Sequence, residues 1–124
     1  MRTKIARVPL AGGVDTAGGI GGWTNPEPTP IYISRLEIDV QTVASAACTV
    51  DAGTTPTSLV TSSNNLITGL DVNAAAGVFD NITDKGASGK SRQKVPVGGF
   101  VTFSRASGAS AGLVGMAYIH YHPA

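Results

Sequence analysis

Ser110 lies in Gly108-Ala109-Ser110-Ala111-Gly112, the G-x-S-x-G spacing that in hydrolases lifts a serine onto a strained strand-to-helix turn for nucleophilic attack. The surrounding sequence does not support that chemistry. A strand rather than a helix is expected after Gly112, and no carboxylate side chain follows Asp84, so the order serine, acid, histidine cannot be met. Gly89-Lys90-Ser91 ends like a phosphate-binding loop, but the first glycine of that motif falls on Asp84, an anion, and Pro96 stops any useful helix behind it. His120 and His122 sit two apart, a spacing that on a strand directs two imidazoles to one side, toward one metal ion. No third ligand is near unless copies meet on a symmetry axis, so packing beside Tyr118 and Tyr121 is the expected role. Glu37 and Asp39 alternate with Leu36, Ile38 and Val40, which reads as the wet side of a strand and not as an acid and base pair. Asp80, Asn81 and Asp84 miss the calcium-loop pattern, and Asn81-Ile82-Thr83 has the form of a glycosylation acceptor. No catalytic, cofactor-binding or metal-binding residue is assigned, and the chain is expected not to be an enzyme.

The elements that carry these residues are strands. The 124 residues are 42% hydrophobic and 14% charged, enough apolar surface for one folded domain. The apolar content is mostly Ala and Val with 6% aromatics, so the core should be modest and self-association favourable. A net charge of +1 lacks the signature of a nucleic-acid binder. Cys48 is the sole cysteine, which rules out an internal disulfide and predicts a small buried hydrophobe. Arg2, Lys4 and Arg7 run into Gly and Asp rather than an apolar stretch, so neither a secretion signal nor a membrane span is expected.

Residues 1–30, with paired glycines at 12–13, 18–19 and 21–22 and prolines at 26, 28 and 30, read as an extended arm that could dock on an acidic neighbour. Residues 31–124 read as one antiparallel β-sandwich, jelly-roll-like. Ile31 to Val40 is a strand in which Ile31 and Ile33 oppose the parity of Leu36, Ile38 and Val40, implying a bulge near Ser34 and Arg35 or burial on both faces. Ala46 to Ala52 is a second strand, with Cys48 and Val50 on one face, and Gly53 to Pro56 a turn. Ser58 to Ile67 reads as a loop. Residues 66–82 suit either irregular strands or a short helix over Val72 to Ala76. Asp84 to Gln93 is an exposed cationic loop, Lys94 to Ser104 a strand broken at Gly98-Gly99, and Ser107 to Gly112 a turn. Leu113 to His122 is the clearest strand, apolar on both faces and therefore central or at a subunit contact.

Three stretches, IYISRLEIDVQTVASAACTVDAG (31–53), TSSNNLITGLDVNAAAGVFDNI (61–82) and AGLVGMAYIHYHPA (111–124), together resemble small virion proteins of tailed bacteriophages, of the capsid-decoration or head-fibre-base type. The resemblance implies a jelly roll that trimerises or forms another ring and binds the major capsid protein or neighbouring virion subunits, after assembly in the host cytoplasm. It supplies no motif from which binding residues can be carried over. The competing expectation is a carbohydrate-binding module at a host envelope, with Trp23, Tyr32, Tyr118 or Tyr121 as stacking platform. Neither nucleic acid, membrane nor cofactor is expected as a partner.

Overall fold

The computed structural model describes residues 2–124, and these residues form nine β-strands and no helix. They are β1 (Lys4–Ala11), β2 (Gly21–Thr24), β3 (Ile31–Thr42), β4 (Cys48–Thr55), β5 (Ile67–Asp71), β6 (Gly77–Asp80), β7 (Gln93–Val95), β8 (Phe100–Gly108) and β9 (Val114–Pro123). Two antiparallel sheets pack face to face. One has the order β1-β9-β3-β6, with β7 also pairing on β3; the other has the order β2-β8-β4-β5.

The winding is that of a jelly roll. Strand β1 pairs with β9, β2 with β8, β3 with β6 and β4 with β5, as if one long hairpin had been rolled up, and β3–β9 and β4–β8 contacts close each sheet. Alternation then fills the space between the sheets. Ala6, Val8 and Leu10 of β1 face inward opposite Ile119, Ala117 and Gly115 of β9. Ile31, Ile33, Leu36, Ile38 and Val40 of β3 are buried beside them. From the other sheet come Cys48, Val50, Ala52, Ile67, Leu70, Val101 and Phe103. Each fully buried Ile, Leu or Phe contributes about 1.5–3 kcal/mol by leaving water, so strands only a few residues long can hold together.

The parity conflict in β3 is resolved by a bulge. Its register against β9 shifts between Ile33 and Arg35, which turns both halves of the strand inward. β9 is central, flanked by β1 and β3.

Of the arm expected over residues 1–30, residue 1 lies outside the described residues, and two segments of the remainder belong to the sandwich instead. Lys4–Ala11 is an edge strand along Val114 to Tyr121 of β9, and Gly21–Thr24 pairs with β8. The paired glycines and the prolines at 26, 28 and 30 lie outside β1, and Pro9 within it is tolerated because the strand is at the edge of its sheet. The prolines between β2 and β3 do cross as a loop, tied down by buried Asn25, whose Nδ2 donates to the Thr29 and Pro96 carbonyls. One smaller expectation also changes: Gly53 to Thr55 continues β4 because β8 pairs with it to the end. Of the two alternatives for residues 66–82, the strands form, as β5 and β6, and Val72 to Ala76 is not helical.

Candidate interaction surface

The outward faces of the two sheets differ. On the β2-β8-β4-β5 sheet, Gly22, Gly53, Thr102 and Ser104 leave a shallow surface, and the loop between β4 and β5 lies across it. Thr102 Oγ1 donates to the Thr61 carbonyl at 2.7 Å, and a side chain at Gly53 would collide with Ser63 and Asn65. A side chain at Gly22 would meet Leu59, and Gly18 N donates to Ser104 Oγ at 2.8 Å. Thr102 and Ser104 are accordingly buried although they point away from the core.

The β1-β9-β3-β6 sheet has no such cover over its central strands. Residues directly opposite one another share a face, so the register lays out the surface in rows. Ile5, His120 and Arg35 form one, Arg7, Tyr118, Glu37 and Asp80 the next, then Pro9, Met116, Asp39 and Val78, and finally Ala11, Val114 and Thr42. Ile5, Val78 and Val114 are 57%, 62% and 46% exposed, high values for large apolar side chains.

Four polar side chains on this face, Arg35, Glu37, Asp80 and His120, are joined to one another. His120 Nε2 and Glu37 Oε1 are 2.6 Å apart, and Arg35 reaches Asp80 at 3.0 Å and Glu37 at 3.6 Å. The amides of Thr83 and then Ile82, together with Arg35, hold the Asp80 carboxyl below the usual carboxylate range against the opposing effect of burial. Asp84 accepts from the Asp80 amide and Asp80 from the Ile82 and Thr83 amides, so these two carboxylates are engaged by the turn itself. Exposed ion pairs contribute little to stability, but these four groups already satisfy one another, so covering them would leave none of the four without a partner.

The other residues with chemical promise are placed as follows. Ser110 is fully buried in the β8–β9 turn; its hydroxyl and amide donate to Asp15 and its oxygen accepts from Gly13 N. Those two bonds, the hydroxyl's first, hold the Asp15 carboxyl low. The serine–carboxylate pair is thus a clasp between the β1–β2 and β8–β9 loops. Asn81 is fully buried, its Oδ1 taking the Leu36 amide at 2.8 Å and its Nδ2 donating to the Lys90 carbonyl at 2.9 Å. The acceptor nitrogen of the glycosylation sequence is therefore enclosed. Gly89 is buried and Lys90 exposed in a loop that leads to a strand. His122 Nδ1 lies 2.9 Å from the Pro123 carbonyl oxygen, away from the Glu37 contact of His120, and among the described residues no three His, Cys, Asp or Glu side chains cluster as a metal site would need. Cys48 is buried, and burial raises its thiol pKa.

Of the four aromatic platforms, Trp23 and Tyr121 pack against each other with ring centres 5.2 Å apart and planes tilted by 52°, and Tyr121 Oη donates to Glu27, which also accepts from Lys4. Burial first, then the bond to Glu27, raises the Tyr121 pKa. Tyr32 lies beneath the Arg92 guanidinium, and Tyr118 stays half-exposed on the open sheet. Neither the covered sheet nor the Arg92 position was anticipated from sequence. The signal for the latter was the charge distribution: Lys85, Lys90, Arg92, Lys94 and Arg105 follow Asp84 without a single acidic side chain.

Comparison with protein-family models, with curated proteins and with solved structures finds no match to this chain.

Proposed function

We propose that this protein is a structural component of a tailed-phage virion, a capsid-decoration or head-fibre-associated module that forms a closed homo-oligomer, a trimer in the favoured form, and binds the capsid surface. The observation that carries the proposal is the contrast between the two sheets. One is closed by its own loop, while the other presents Ile5, Val78 and Val114 around Met116 and Tyr118, beside the Arg35–Asp80 and His120–Glu37 pairs. A flat surface of that kind suits packing against another protein. The resemblance in the sequence supplies the setting, and the jelly roll provides a rigid scaffold for it.

The test is the mass of the purified chain in solution by light scattering. A closed oligomer that dissociates in Val78→Lys and Val114→Lys, both exposed and therefore free to change without disturbing the core, supports the reading. A monomer unaffected by either change refutes self-association through this face. On the carbohydrate alternative, Tyr118 is the ring left to stack on a sugar, and a glycan array with a Tyr118→Ala control would detect it.

A further inference from the structure

The β3–β7–β9 corner of the open sheet carries a cationic ledge built on an aromatic floor. Tyr32 lies opposite Lys94 of β7 on one side and His122 of β9 on the other, so all three project from the same face. The Arg92 guanidinium carbon sits 4.2 Å above the centre of the Tyr32 ring, and the His122 ring is 6.0 Å away, tilted by 48°. Arg92 and Lys94 are exposed, and among the described residues neither has a carboxylate within ion-pairing distance, in contrast to Arg35 and Lys4. The chain is almost neutral overall, so this ledge is a local concentration of charge.

The geometry points to a binding site for the carboxylates of an acidic, extended segment of a partner protein, with Arg92 and Lys94 as its two anchors. This rests on the virion-docking reading above and names the chemistry of the contact. Contact with the Tyr32 ring holds the guanidinium in place, and its N–H groups have no partner among the described residues, which leaves them to grip a carboxylate through two parallel bonds. Part of the ordering cost is met before the partner arrives. Arg92, just before β7, and Lys94 within it are two residues apart, about 6–7 Å in extended chain, the spacing at which alternate side chains of an extended peptide project to one side. A base or a sugar ring would need an open aromatic face, and on Tyr32 that place is taken by Arg92.

The experiment is fluorescence anisotropy of a labelled oligoglutamate peptide titrated with the full chain, with an oligouridylate and a hyaluronan oligosaccharide of comparable charge as parallel ligands. The expected result is peptide binding that weakens with added salt. Arg92→Gln should lose about tenfold in affinity, the scale of a charge-assisted bond pair, and Lys94→Gln somewhat less. Arg92→Lys should restore only part of the loss because an ammonium cannot grip a carboxylate with a planar fork. Unchanged thermal midpoints show that the variants are folded. No binding, equal binding by the glutamine variants, or RNA or hyaluronan bound as tightly as the peptide would overturn the assignment. The solution mass is a separate readout, so loss of the oligomer with peptide binding intact counts against the assembly reading alone.

Discussion

Asn81→Ala should be among the most damaging polar substitutions in this chain. Its side chain is fully buried at the point where β6 ends, and it continues the pairing with β3 by other means. Asn81 Oδ1 accepts from Leu36 N, while Asn81 N donates to the Leu36 carbonyl at 3.1 Å. Its Nδ2 simultaneously holds the Lys90 carbonyl and with it the loop after β6. Removing the amide leaves the Leu36 N–H without a partner in the core, which costs about 1–3 kcal/mol, and cuts the wetter bond to Lys90, about 1 kcal/mol more. The sum is about 3 kcal/mol, a large part of the 5–15 kcal/mol that ordinarily holds a domain together. For 124 residues the unfolding entropy is about 260 cal/mol/K, so the melting midpoint should fall by about 12 °C. Urea unfolding of the wild type and variant at neutral pH measures the difference directly. Asn81→Asp sharpens the test, because it keeps the acceptor for Leu36 but places a carboxylate against the Lys90 carbonyl. Its penalty should be severe at neutral pH and shrink as acid protonates the new group. A loss below about 1 kcal/mol for Asn81→Ala would refute the view that this side chain substitutes for strand pairing.

Acid should destabilise the fold. Asp15, Glu27 and Asp80 all titrate below the ordinary carboxylate value in the folded chain, held by Ser110, by Lys4 with Tyr121, and by the Thr83 and Ile82 amides respectively. The unfolded chain then takes up protons first, so stability present above about pH 4–5 declines as the pH falls through the unfolded and then the depressed folded values. Urea midpoints across that range should show the decline, with a shallower slope in Ser110→Ala, and a flat profile would contradict the hydrogen-bond assignments. Gly53→Ala should push the β4–β5 loop off its sheet by collision with Ser63 and Asn65, lowering stability by about 1–3 kcal/mol. Limited proteolysis should then cut within residues 56–66 of the variant before the wild type, and equal resistance would show that the loop is not seated by the glycine.

Much of the fold was legible locally. Alternation in Leu36-Glu37-Ile38-Asp39-Val40 identified β3, the reversed parity of Ile31 and Ile33 located its bulge, and the doubly apolar pattern of Leu113 to His122 marked β9 as central. Such signals survive in sequence because side chains on a strand point alternately to two environments, whatever the partner strand is. The shared burial of Cys48 and Val50 follows from the same rule. β1 carried that signal too, in Ala6, Val8 and Leu10 alternating with Arg7 and Pro9, but the glycines and prolines around it outweighed so short a run.

What remained hidden depends on pairs of segments far apart in the chain. Nothing local says that β1 must lie along β9, that Asp15 meets Ser110, or that Arg92 settles on Tyr32, because each contact is made only once the sheets have closed. Composition established that the chain would be a strand-built domain with a small core, and that its lone cysteine could not cross-link it internally. Which sheet face is sealed and which stays open was decided by tertiary structure, where small residues on β2, β4 and β8 line up across strands to seat a loop. Strand order is a global property, since many pairings satisfy the same alternation and only the mutual packing of two sheets selects one.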